Sequence, residues 1–404
     1  MKASNQKIYV SGKNKQEVLN PRLVFILAVA TGLAVANLYW AQPLLDTIAR
    51  VFHSNTTAAG MIITITQIGY AAGLVFLVPL GDLFERKKLI VSIMFLTALS
   101  LVIAAITPTL SLFMVASLII GITSVVAQIL VPFAATLAKE HERGKVVGQV
   151  MSGLLIGILL ARTVAGFISE YAGWRTVFGL AAVLMILQAV ILARALPVHK
   201  PELKITYWGL LVSIWHLVRS ESVIRIRSVY GALVFANFSV LWTSLTFLLA
   251  GPYYGFSDAI IGLFGLVGAA GAVSANLSGR WADKGWSNKT TLAFQLINLL
   301  AFGLMWFGTG NILPLIVGII LLDAGVQGTH ITNQSEIYKV RPDARSRITT
   351  AYMATYFFGG AVGSAASAAV YQAHGWTGVT YLGMGFSLLA VLFWLVEQIA
   401  LKKS

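Results

Sequence analysis

Long apolar stretches alternate along the chain with short polar segments that are mostly basic. Each apolar stretch approaches the roughly 20 residues that a helix needs to cross a bilayer, and only a helix satisfies its own backbone there. Cutting at the charged and Pro/Gly punctuation predicts twelve helices, at about 22–44, 57–80, 88–106, 110–138, 145–168, 174–196, 224–250, 256–278, 288–308, 312–338, 347–371 and 376–400. The polar, basic stretch 197–223 divides them six and six. The expected organisation is a tail (1–21), a six-helix bundle (22–196), a linker (197–223), a second six-helix bundle (224–400) and a short tail (401–404).

The second half repeats landmarks of the first at an offset of about 202 residues. Arg143-Gly144-Lys145 answers to Arg345-Ser346-Arg347, Gly157 to Gly359, and Gly173-Trp174 to Gly375-Trp376. Gln128 answers to His330, and Asp82 to Asp283 within one residue. Parallel repeats of apolar helices are a transporter architecture, with a substrate site expected between the halves near mid-membrane.

Composition narrows the choice. The chain of 404 residues is 57% hydrophobic and 11% charged. A soluble domain carries about 25% charged residues, so most of this surface is expected to face lipid. There is no cysteine, and the six histidines form no close pair, so no metal site is expected. The net charge of +14 raises nucleic acid as a partner, but no basic stripe with interleaved aromatics is present. Instead, 26 of the 29 Lys and Arg residues fall in the tails, the linker and alternate loops of one side, only Arg50 and Arg175 fall on the other, and Arg162 lies within a span. That bias places both termini in the cytoplasm. The apolar stretch beginning near Leu23 is too long for a signal-peptide core, so a retained first span is expected. No P-loop and no GxSxG elbow occur. ATP is therefore not the expected energy source, and neither an enzyme nor a cofactor is expected.

Two short loops carry paired charges. Leu80-Gly81-Asp82-Leu83-Phe84-Glu85-Arg86-Lys87-Lys88 follows the second span, and Gly279-Arg280-Trp281-Ala282-Asp283-Lys284-Gly285 follows the eighth. Each sets a carboxylate beside cations at a helix end, a charge lock that can favour one conformation and break in another. Asp82, Arg86, Lys87, Gly279, Asp283 and Lys284 are its candidates. With twelve spans split six and six, these loops make the chain resemble the major facilitator superfamily over nearly its whole length. Val78, Leu83 and Glu85 replace Gly, Arg and Gly of the family pattern, and the second copy lacks the distal basic pair. The resemblance implies an all-α membrane protein with twelve transmembrane helices in two six-helix pseudo-repeat bundles. It also implies a monomer in a bacterial inner membrane. Within the superfamily, the Gly153-Leu-Leu-Ile-Gly157 to Gly166 run of span five is similar to a glycine-rich motif of the twelve-span drug/proton antiporters, although Ile158 stands where they place proline. Small residues there let helices approach closely. The run Asn37 to Leu44 resembles a subgroup of bacterial efflux transporters.

Polar side chains within spans cost free energy and mark cavities or partners. Asp323, Gln327, His330 and Gln334 recur at spacings of 4, 3 and 4, which puts them on one helical stripe. A cavity-facing stripe would carry a proton relay through Asp323 and His330, and a bundle-facing one would be structural. Arg162 stays charged and needs an anion or several carbonyls. It pairs with Asp323 or Asp46, holds a network between helices, or binds an anionic substrate. Asn37, Tyr39, Trp40 and Gln42 in span one and Asn237 and Trp242 in span seven are candidate substrate contacts, because first helices of both halves line the cavity in the family that the chain resembles. Gln67, Gln128, Tyr352 and Tyr356 extend the set.

The leading expectation is a secondary active transporter, a proton-coupled exporter of small amphipathic molecules by alternating access. An alternative is a transporter of a specific metabolite such as an organic acid or a sugar, the former favoured by an anion-binding Arg162. A non-transporting receptor or scaffold would need neither the repeated charged loops nor the titratable stripe.

Overall fold

A computed structural model describes residues 20–198, 206–268, 286–341 and 344–403. The helix order is α1 (Pro21–Ala36), α2 (Leu45–Val51), α3 (Thr56–Phe76), α4 (Arg86–Ile106), α5 (Leu110–Thr123), α6 (Val126–Leu137), α7 (Arg143–Ala172), α8 (Trp174–Ala195), α9 (Tyr207–Ser220), α10 (Ser222–Ala250), α11 (Asp258–Val267), α12 (Ser287–Met305), α13 (Ile312–Val340) and α14 (Arg345–Lys403). Among the described residues, nine helical stretches are long and apolar enough to cross a membrane. The stretch Arg345–Ala400 is long enough for two crossings, and the shorter apolar helices Pro21–Ala36 and Asp258–Val267 complete the twelve. Large apolar side chains such as Leu99, Val183, Leu392 and Val396 point outward, as lipid requires.

The first span is not one helix. Asn20 caps α1 by accepting from the Arg22 N–H at 3.0 Å, and α1 ends at Ala36. Pro43 has no N–H to give, and its ring crowds the preceding turn, so the chain passes through a 3₁₀ turn (Gln42–Leu44) before α2. One freed group is satisfied from the other half, since the Gln42 carbonyl accepts from the Thr246 hydroxyl at 2.7 Å. The fourth span also breaks, between α5 and α6. The hydroxyls of Thr123 and Ser124 bond back to the Ile119 and Ile120 carbonyls, in competition with the helical ladder. The linker, read from its polarity as a connection, contains α9. Leu210, Ile214 and Leu217 of that helix are buried, while Trp208 and Trp215 are exposed.

The internal repeat is written into the backbone. Gly173 has φ 84 and its counterpart Gly375 has φ 61, left-handed values that glycine adopts without cost. Each is followed by a buried tryptophan, Trp174 or Trp376. Gly375 interrupts α14 and separates the last two spans. In the first half Gly157 meets the backbone of Gly32 on α1, and in the second Gly359 meets the backbone of Ala232 on α10. The two halves meet chiefly along α3 with α14 and along α7 with α11.

Candidate functional site

The break in span one turns its polar residues towards α7. Arg162 of α7 is 3% exposed, and its Nε donates to Gln42 Oε1 at 2.6 Å. Three rings surround the guanidinium. Its Cζ lies 4.1 Å from the ring centre of Trp242, 4.7 Å from that of Tyr39 and 5.6 Å from that of Phe238. Arg162 and Tyr39 belong to the first half, Trp242 and Phe238 to α10 of the second. The arrangement joins the halves by cation–π attraction, worth roughly 2 kcal/mol for a desolvated pair.

Trp242 links this cation to Asp323. Its indole N–H donates to Asp323 Oδ1 at 3.4 Å, and Asp323 is 6% exposed on α13. Arg162 is absent from the ion pairs formed among the described residues. A cation and a carboxylate thus share one tryptophan without a direct contact. Two glycines of the eighth span leave room for them. A Cβ at Gly265 would lie 2.9 Å from Arg162 Cβ, and one at Gly268 would collide with Asp323 Oδ2.

The rest of the α13 stripe runs towards the terminal end. Gln327, His330 and Gln334 are half-buried. His330 Nδ1 lies 3.0 Å from the Tyr352 hydroxyl, and its ring centre lies 4.7 Å from that of Tyr356. Tyr356 stacks on Phe235 at 4.1 Å. Tyr352 itself is wholly buried. Gln67 Nε2 donates to Ser239 Oγ across the halves at 3.0 Å, and Gln128 Nε2 donates to the Tyr70 hydroxyl at 3.2 Å.

Other candidates are placed differently from the sequence expectation. Asp46 pairs with Arg50 at 2.9 Å and not with Arg162, because the break in span one carries it into α2, beyond the apolar zone. Asn237, the counterpart of Asn37, donates to Ser387 at 2.9 Å inside the second half and is wholly buried. Asn37 Oδ1 accepts from the Trp40 indole at 3.0 Å. In the first charged loop Arg86 meets Asp82 at 3.2 Å and also donates to the Gly81 carbonyl and the Thr136 hydroxyl, while Lys87 is half-buried. Gly279, Asp283 and Lys284 lie outside the described residues.

A second set of contacts was not foreseen. Asp258, at the start of α11, accepts from Thr47 at 2.9 Å and from Ser169 at 2.6 Å. The Ala259 N–H donates to Glu170, and Thr56 donates to Gln372 through both its N–H and its hydroxyl. Thr163 donates to the Gly262 carbonyl at 3.0 Å. All of these join the two halves, and the outermost lie at the end away from the termini. Between described residues, the hydrogen bonds joining the halves run from Gln67–Ser239 at mid-bundle to that far end. The molecule is therefore clasped at its far end. Only the acid in the first turn of a span hinted at this in the sequence, and such an acid is ordinary at a helix N-terminus.

Comparison with known proteins agrees with this architecture. The family model described as Major Facilitator Superfamily matches residues 25–355. The Escherichia coli O157:H7 protein "Uncharacterized transporter YgaY" is 53% identical over 376 residues, 93% of this chain and 95% of its own. "Probable transporter SCO4007" of Streptomyces coelicolor is 33% identical over 387 residues, covering 94% and 90%. Among solved structures, a bacterial homolog of the human lysosomal transporter Spinster, inward-facing and unoccupied, superposes with a TM-score of 0.75 at 15% identity, covering 95% of this chain and 97% of that one. That last likeness is one of fold. Family model, relatives and fold agree that the chain is a multi-pass membrane transporter and belongs to the major facilitator superfamily.

Proposed function

We propose that this transporter is a proton-coupled exporter of small amphipathic molecules in which Asp323 carries the proton. The observation that supports it is a single carboxylate, buried where the halves meet and, among the described residues, bonded by the Trp242 indole N–H and in no ion pair. A carboxylate at such a junction can take up or release a proton as its surroundings change. It changes charge when the halves rearrange around it. The residues 22–196 and 224–400 act as the two rocking bodies, and the clasp at the far end belongs to one extreme of the cycle. With both termini in the cytoplasm, as the distribution of basic residues implies, that extreme is inward-facing, the state named for the Spinster homolog. The close glycine contacts of α7 on α1 support the antiporter reading within the superfamily. His330 stands on the same stripe as a second group for the relay. The Asp82–Arg86 pair holds the loop after α3 in place, and Asn37, Tyr39, Trp40, Gln42, Gln67, Gln128, Trp242, Gln327, Gln334, Tyr352 and Tyr356 remain the proposed lining of the path.

The test is flux in proteoliposomes under an imposed pH gradient, with wild type beside Asp323→Asn. Gradient-driven flux is expected in wild type and not in the variant. Full gradient-driven flux in Asp323→Asn would remove the proton from this site.

A further inference from the structure

Arg162 carries a feature that proton transfer does not use. Its Nε is satisfied by Gln42, but its Nη2 is buried with no hydrogen-bond partner among the described residues. A guanidinium remains charged throughout any transport cycle. Burying such a charge without an anion costs several kcal/mol unless a partner is supplied. The natural internal partner, Asp323, lies nearby but accepts from Trp242 instead. Asp46 is committed to Arg50. What covers Arg162 is aromatic: Tyr39 from the first half, Phe238 and Trp242 from the second. Phe235 and Tyr356 continue that surface, stacked face to face and in contact with Phe238 and His330.

From this geometry we infer that the transported molecule is an organic monoanion, a carboxylate on an aromatic or apolar body, whose charged group takes the unpartnered Nη2 of Arg162. The inference rests on the reading of this contact between the halves as the transport site, and it assigns the substrate class. The aromatic walls take the body of the molecule by burial and stacking. One guanidinium, with the Asp323 carboxylate close by, balances at most one negative charge. A dianion would bring uncompensated charge into a dry site. A cation would meet the like charge of Arg162. The halves contribute jointly, so the carboxylate would bridge α7 to the aromatic face of α10 and could be released when they separate.

The experiment is calorimetric titration of the full-length protein in lipid nanodiscs with three probes of one shape: 1-naphthoate, 1-naphthamide and 1-naphthylmethylammonium. A charge-assisted hydrogen bond contributes about 1.5–3 kcal/mol, so naphthoate is expected to bind roughly ten to a hundred times more tightly than the amide, with the ammonium weakest. Arg162→Gln is expected to abolish the preference. Arg162→Lys, which keeps the charge, is expected to retain a preference for the carboxylate, and this separates loss of charge from misfolding. Equal binding of carboxylate and amide, tighter binding of the ammonium, no measurable naphthoate binding, or a preference that survives Arg162→Gln would each overturn the assignment. Equilibrium binding needs no proton gradient. Proton coupling can therefore fail in the flux assay while the anion site stands, and naphthoate binding can fail while coupling through Asp323 stands.

Discussion

Single side chains in this protein are defined by what they lack as much as by what they touch. Trp242 is the hinge of the central site because one ring serves two charges, its face towards Arg162 and its N–H towards Asp323. Trp242→Phe keeps an aromatic face and loses the donor. A long hydrogen bond of this kind contributes about 1 kcal/mol, so gradient-driven flux is expected to fall about fivefold, and further in Trp242→Ala. The initial flux rates of the two variants against wild type check this. At the far end Asp46 offers a pH effect. Burial raises its carboxyl above the ordinary carboxylate range, Arg50 opposes this, and the charge of Asp258 adds to it. Tyr371 also faces it. Opening the far end carries Asp258 away and removes that contribution. The raised value therefore belongs to the clasped state. Its contribution to clasping is full below the ordinary range and is lost as pH rises through the raised value. The chain has no cysteine, so spin labels on Tyr171→Cys and Tyr253→Cys, both exposed, report the gap alone. The label distance is expected to shorten on acidification in the wild-type background and to become less pH-dependent in Asp46→Asn.

At the level of elements, the contact of α7 with α11 is a packing of small residues. A Cβ at Gly262 would lie 2.6 Å from the Arg162 carbonyl, and one at Gly166 would strike the Asp258 carbonyl. Backbones this close leave no room for a branched side chain. Gly262→Leu is expected to part the two helices and to shift the label distance towards its longer population. Asp258→Ala removes the shared acceptor of Thr47 and Ser169. Leaving the half-buried Thr47 and the buried Ser169 hydroxyls without it costs about 1–3 kcal/mol of the clasped state, and the same pair of labels should report the population gained by the open state. An unchanged distance distribution in both variants would show that the clasp is held elsewhere. The existence of most helices was legible in the apolar runs, and the Gly173 and Gly375 corners in the repeat. The breaks in spans one and four were not. Their carbonyls find partners in other helices or in local hydroxyls, and a hydropathy pattern records only the average environment of a run.

For the molecule as a whole, the distribution of charge gives the strongest expectation. With 26 of 29 basic residues on one side, the inserted protein should keep its termini and the loop at His141 inside. Cysteines at Tyr171 and Tyr253 are expected to react with a membrane-impermeant maleimide in intact cells. One at His141, exposed on the terminal side, should react only after permeabilisation, and the reverse pattern would invert the assigned topology. The two-half architecture also explains why the candidate site could be read only in part. Asp323 and Arg162 stood out because each is a charge in an apolar run. Their common dependence on Trp242 could not be read, because the three residues are separated by long stretches of chain and meet only when the halves close.

The sequence by itself determined the membrane, the number of spans, the internal repeat and the charges that do not belong in lipid. These follow from transfer free energies and helical periodicity, which are local properties of a chain. Only the tertiary structure decided which half supplies each partner, which end is clasped, and that Arg162 is left with an unpartnered nitrogen instead of a carboxylate. Those outcomes depend on distances between residues far apart in the chain, and packing sets such distances, not pattern.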